Sequence, residues 1–160
     1  MFMKGVVFAL EETKKVLVCI TAQSNSKRLM DYGHDIAEKY EGELHILHVL
    51  KGDSVFNNPD TPVLLQELFD YGTKEGGMIH AYCDENVPKS IGTFVKNEKM
   101  TTIILGEPPR EMKKPETHFK NIVKEMPDGV ELVILNRKKE DGYRTYFKAS
   151  GNLKEVPKGK

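Results

Sequence analysis

This chain has no surplus of charge, no cysteine framework, no long apolar run and no glycine-rich phosphate loop. Lys plus Arg number 24 and Asp plus Glu number 24, so no global field draws the protein onto nucleic acid or acidic lipid. A nucleic-acid partner and a membrane surface are therefore not expected. The two cysteines, Cys19 and Cys83, stand far apart and without CxxC spacing, which suits a reducing cytosol rather than a disulfide scaffold. The apolar start, Val6-Val7-Phe8-Ala9-Leu10, is too short to span a bilayer and runs into Glu11-Glu12 instead of a small-residue cleavage pattern. Neither a signal peptide nor a membrane segment is expected, and the expected location is the cytoplasm.

The missing glycines matter most at one junction. Thr102-Ile103-Ile104-Leu105-Gly106 reads as a strand and leads directly into Glu107-Pro108-Pro109-Arg110. A phosphate-cradling loop presents backbone N–H groups and often needs positive φ, which glycine supplies. Two prolines have no N–H to donate and a φ held near −65°. The junction of a nucleotide binder is present without its usual grip.

What is present is a regular alternation. The 160 residues, 39% hydrophobic and 30% charged, suffice for one well-buried domain. Apolar runs at Lys15–Ile20, Glu43–Leu50, Met78–Cys83, Thr101–Leu105 and Val130–Leu135 read as strands, separated by stretches of helical period. Leu29, Gly33, Ile36, Ala37 and Tyr40 mark the first helix, capped by Ser24 or Ser26 and ended by Gly42. Thr61-Pro62 opens a second helix with Leu64, Leu65, Leu68 and Phe69 inward, and Gly76-Gly77 breaks it. Pro88 opens a third, with Ile91, Phe94 and Val95 inward, and Phe119, Ile122, Val123 and Met126 mark a fourth. The pattern predicts an α/β fold, an open and mostly parallel sheet with helices on both faces.

Residues 1–14 are an N-terminal extension, 15–136 the domain and 137–160 a basic tail with eight basic residues to three acidic ones. The tail reads as a solvated terminus. Val6–Leu10 and Tyr143–Ala149 are candidate edge strands, pairing with each other or with a second subunit.

The segments KVLVCIT, Ala37-Glu38-Lys39-Tyr40-Glu41-Gly42-Glu43-Leu44-His45 and ILHVL resemble the universal stress protein family. The serine-bearing turn before Lys27-Arg28-Leu29 and the GELHILHV segment are closest to the stress-protein-like domain of Kdp potassium-sensor kinases. The resemblance covers roughly residues 15 to 136. It implies a cytoplasmic, commonly dimeric, Rossmann-like domain of five strands in the order 3-2-1-4-5.

The family's nucleotide-binding branch holds ATP with an aspartate after the first strand and a Gly-x2-Gly-x9-Gly-Ser/Thr loop after the fourth. Thr21 occupies the aspartate position here. Gly106 matches the first glycine, Pro109 replaces the second, and Phe119-Lys120 stand at the final pair. Some Kdp-type domains bind a cyclic dinucleotide through a Ser-x-Ser pair and an aromatic Phe-Thr-Ala-x-Tyr strand. Thr21-Ala22-Gln23 and Leu44-His45-Ile46-Leu47-His48 hold fewer hydroxyls and neither aromatic.

The candidate ligand crevice comprises Thr21, Gln23, Ser24, Ser26, His48, Gly106 and Arg110. The turn from Thr21 to Ser26 either caps its helix or offers hydroxyl, amide and helix-terminal N–H groups to an anion. Arg110 stands where a bidentate grip on phosphate or carboxylate could replace the lost loop, and a solvated loop arginine is the competing reading. His45, His48 and His80 fall on neighbouring strands, but a spacing of three points His45 and His48 to opposite faces, so that pair cannot chelate one ion. His48 reads as a hydrogen-bonded structural histidine or a base or ribose contact. Cys83 beside Asp84-Glu85 has no argument for a lowered thiol pKa.

No nucleophile–base set, paired carboxylates or metal signature emerges. The expected protein is a non-catalytic regulatory module without a resident cofactor or metal, homodimeric through the fifth-strand edge, that binds a small ligand, such as a nucleotide, or a protein partner. The alternatives are an ATP-binding member with a phosphate site rebuilt around Arg110 and a purely structural dimerisation module.

Overall fold

The computed structural model describes residues 13–21, 26–51, 61–107, 115–138 and 142–157. The elements are β1 (Lys15–Cys19), α1 (Ser26–Lys39), β2 (Glu43–Lys51), α2 (Thr61–Lys74), β3 (Met78–Asp84), α3 (Val87–Glu98), β4 (Thr102–Gly106), α4 (Pro115–Glu125), β5 (Glu131–Leu135), β6 (Tyr143–Ala149) and β7 (Asn152–Val156). No helix among the described residues is long and apolar enough to cross a membrane.

The strands form one sheet in the order β3-β2-β1-β4-β5-β6-β7. β1 to β5 run parallel, and β6 and β7 are antiparallel. Among the described residues seven strands replace the five expected, with the expected 3-2-1-4-5 order intact inside them. The candidate edge strand Val6–Leu10 lies outside the described residues.

The central strands are continuous apolar runs because both of their faces are covered. Val16 and Val18 of β1 pack with Leu29, Met30 and Leu68 beneath α1 and α2. Leu17 of β1 packs with Ile91, Phe94 and Ile122 beneath α3 and α4. Burying these side chains stabilises the fold by roughly 1.5–3 kcal/mol each before entropy is counted.

α1 lies unusually close to the sheet at Gly33, where a Cβ would sit 2.4 Å from Val18 Cγ2. Gly42 is not the left-handed residue that ends α1. Glu41 takes that conformation (φ 52°). Gly42 is required for a different reason, since a Cβ there would lie 2.2 Å from the Lys14 carbonyl oxygen. α3 begins at Val87, one residue before Pro88, and Asn86 caps it by accepting from the Lys89 N–H at 3.1 Å.

The dimer expected through the β5 edge does not stand, because that edge already carries β6 in register from Glu131↔Phe147 to Leu135↔Tyr143. Ser150 (φ 53°) and Gly151 (φ 76°) turn β6 into β7. Two positive φ values in a two-residue connection match the twist of a hairpin. Lys148 of β6 is buried and donates to the Val123 and Met126 carbonyls at 2.7 and 2.6 Å, closing the carboxyl end of α4. The Val123 carbonyl also accepts the Met126 N–H at 3.0 Å, and both carbonyls stand at the negative end of a helix dipole, so the buried ammonium is compensated there.

Candidate functional site

From β1 the chain moves outward to β2 and β3, then returns to β4 and β5 on the other side. The carboxyl ends of β1 and β4 therefore diverge into different connections, and a crevice opens above them. A cavity of about 240 Å³ fills it. Cys19, Leu47, Leu105 and Ile134 form its floor, and Val87 and Ile91 of α3 face Phe119 and Ile122 of α4 across it. Its polar lining comes from Thr21, Arg28, Glu107, His118 and Arg137.

Local bonds fix that rim. The Thr21 N–H donates to Ser26 Oγ at 3.3 Å, and the Ser26 hydroxyl donates to the Thr21 carbonyl at 2.8 Å. The fully buried Ser26 thus closes the turn between β1 and α1. Arg28, in the first turn of α1, donates to the Asn136 carbonyl beyond β5. The Glu107 N–H donates to the Leu135 carbonyl at 3.0 Å, and its carboxylate accepts from the Arg137 N–H. Among the described residues, two rim guanidinium groups outnumber one carboxylate, and α1 has no acidic residue in its first turn. Rim charge and helix terminus both favour an anion.

Burial holds the His118 imidazole below its ordinary range, so a neutral ring faces the cavity near neutral pH. Burial pushes the Cys19 thiol up to about 12, which keeps it protonated and a poor nucleophile.

Of the seven residues singled out from the sequence, Thr21 and Gly106 line the cavity. Ser26 sits directly behind Thr21. His48 is 6% exposed and donates through Nδ1 to the Ile20 carbonyl at 2.9 Å. Its Nε2 is buried with no hydrogen-bond partner among the described residues, an acceptor left open next to the β1 end. Gln23, Ser24 and Arg110 lie outside the described residues. Among the described residues no group of three or more metal-ligating side chains comes together.

Sequence reading missed Arg28, Glu107, His118 and Arg137 as rim groups. Arg28 and Arg137 were legible by position, since one opens a helix after β1 and the other follows β5. His118 had no such signal.

No protein-family model matches this chain. Among curated proteins it is 24% identical over 103 residues to the sensor protein KdpD of Mycobacterium tuberculosis (strain H37Rv), covering 64% of this chain and 12% of KdpD. The match thus spans about an eighth of that relative's length. Among solved structures, a universal stress protein from Archaeoglobus fulgidus superposes with a TM-score of 0.56 at 14% identity, covering 83% of this chain and 99% of the other. A universal stress protein in complex with cAMP gives 0.55 at 15%, covering 78% and 97%. A universal stress protein from Archaeoglobus fulgidus in complex with dAMP gives 0.53 at 14%, covering 79% and 98%. The chain has the universal stress protein fold, and its sequence likeness to a Kdp sensor agrees with the resemblance read from its motifs.

Proposed function

We propose that this chain is a non-catalytic, universal-stress-type regulatory module that binds a small anionic ligand of the nucleotide class at the carboxyl ends of β1 and β4, through a site rebuilt from the family's ATP pattern. The observation that carries this reading is the cavity of about 240 Å³ with an apolar body and an arginine-bearing rim. Pockets for drug-sized ligands span roughly 300–1,000 Å³. The smaller space suits one planar base between α3 and α4, with the charged group at the rim. Phosphate contacts fall to Arg28, Arg137 and the start of α1, since Thr21 offers no carboxylate and Pro108 and Pro109 offer no N–H. Relatives of the same fold with cAMP and dAMP bound favour a monophosphate over a triphosphate. The protonated Cys19 gives no support for nucleophilic chemistry.

A thermal-shift panel of ATP, AMP, cAMP and cyclic dinucleotides tests this, because a ligand of the native state raises its stability. At a hundredfold excess over Kd the native state gains about 2.7 kcal/mol. We expect a rise with AMP or cAMP that Arg28→Ala abolishes. Flat curves for the whole panel would leave the structural-module alternative standing.

A further inference from the structure

A second polar cluster lies on the same α3-covered sheet face as the crevice, toward the amino ends of β2 and β3. His45 of β2 is 3% exposed, an uncommon place for an imidazole. Its Nε2 lies 2.9 Å from Glu43 Oε1, and its Nδ1 lies 3.0 Å from Nε2 of the partly buried His80. The register Leu47↔His80 makes the two histidines diagonal neighbours across β2 and β3. Their ring centroids are 5.2 Å apart and their planes within 14° of parallel. An in-line N–H···N bond between rings of roughly 1.1 Å radius reproduces that separation. The rings thus meet edge to edge. Phe94 of α3 closes over them, 4.6 Å from His80 and 6.4 Å from His45.

With both rings neutral, the bond pattern fixes the protons. Glu43 accepts, so His45 donates through Nε2, its Nδ1 is an acceptor, and His80 supplies the N–H between the rings. The charged and titratable groups around the pair are Glu43 on β2, Lys15 on β1 (3.9 Å from Glu43), Tyr82 on β3 and Glu98 on α3. The His45 N–H, then Lys15, hold the Glu43 carboxyl below its usual range against the opposing effect of burial.

We propose that Glu43, His45 and His80 form a one-proton relay that clamps the edge strand β3 to β2 and releases it when a second proton enters. A proton taken up at His80 Nδ1 allows His80 to pass its Nε2 proton to His45 Nδ1. The added charge then lies beside the Glu43 carboxylate, His80 is neutral again in its other tautomer, and the bond between the rings persists with its direction reversed. A second proton has only His80 Nε2 left to occupy. Two N–H groups then face each other, the bond is lost, and two imidazolium ions repel. Burial first, and then His45, hold the His80 imidazole below its ordinary value near 6.5, against the pull of Glu98. A depressed histidine contributes stability that is full above that ordinary value and is lost as pH falls toward the folded value. β3 is the strand that yields, because among the described strands it pairs with β2 alone and exposes Met78 and Tyr82.

The test is 15N NMR of the imidazole rings with amide exchange on the full chain between pH 8 and 4.5. His45 and His80 are expected to titrate as a coupled pair in two separated steps. Protection of β3 amides, corrected for intrinsic exchange, should fall by about tenfold for each unit of separation between folded and opened affinities. Protection of β4 and β5 should stay constant. In His80→Gln the His45 curve should collapse to one step and the acid loss on β3 should disappear. Two independent one-step curves in the wild-type protein would overturn the proposal, whether or not His80→Gln folds. So would an undiminished acid loss in His80→Gln.

Discussion

Gly42 and Gly106 both stand at the ends of elements, but their constraints differ. A Cβ at Gly42 would enter the Lys14 backbone at 2.2 Å, and a backbone atom cannot rotate aside. A Cβ at Gly106 would meet only the Leu29 side chain, at 3.4 and 3.6 Å. Gly42→Ala is therefore expected to cost about 1–3 kcal/mol in urea unfolding, in the range of overpacked sites. Gly106→Ala should stay within about 0.5 kcal/mol of the wild type while weakening ligand binding, because its added methyl group stands at the crevice. Equal losses for the two variants would refute this assignment. Gly42 also marks a limit of sequence reading: the glycine at a helix end was evident, but the contact with Lys14 that demands it is long-range. Ser26 is similar. Its place at the start of α1 was legible, whereas its bonds to Thr21 depend on how the β1–α1 turn closes.

At the scale of elements, periodicity was enough to identify β1 to β5 and α1 to α4, because continuous apolar runs and helical spacing both report local burial. β6 was seen as a possible edge strand, but its partner was not. Strand pairing is set by register, and Tyr143–Ala149 alternates too weakly to announce one. The Ser150-Gly151 pair between two strand-like runs did carry a hairpin signal. The hairpin is anchored by Lys148, so Lys148→Met should lower stability by about 1–3 kcal/mol through the two hydrogen bonds to the α4 end that it removes. Urea unfolding with an unchanged midpoint would contradict that role. A chain ending at Asn136 would bare the β5 edge, and unpaired strand edges recruit other chains. Light scattering should find this truncated form self-associating, where the full chain is less so; a dispersed truncated form of equal size would show that β6 does not protect the edge.

At the scale of the molecule, the seven-stranded sheet leaves one divergence of connections, and the cavity lies there. The alternation of elements made the parallel sheet legible, and the family resemblance implied its strand order and with it the end of the sheet where a ligand belongs. The lining was only partly legible. Thr21 comes just after β1 and Gly106 ends β4, whereas Ile91, His118 and Phe119 come from helices whose rotation about the sheet decides what faces the crevice. The Glu43–His45–His80 relay lies on the same α3-covered face, with His80 paired beside the cavity-lining Leu47. The central claim is that the crevice at the carboxyl ends of β1 and β4 takes a small nucleotide. Titrating AMP into 15N-labelled protein while following backbone amide shifts tests it most directly. The account predicts saturable changes at Thr21, Arg28, Gly106, Glu107 and Ile122, with β3 and β7 unmoved. Changes confined to other surfaces, or none at millimolar AMP, would contradict it.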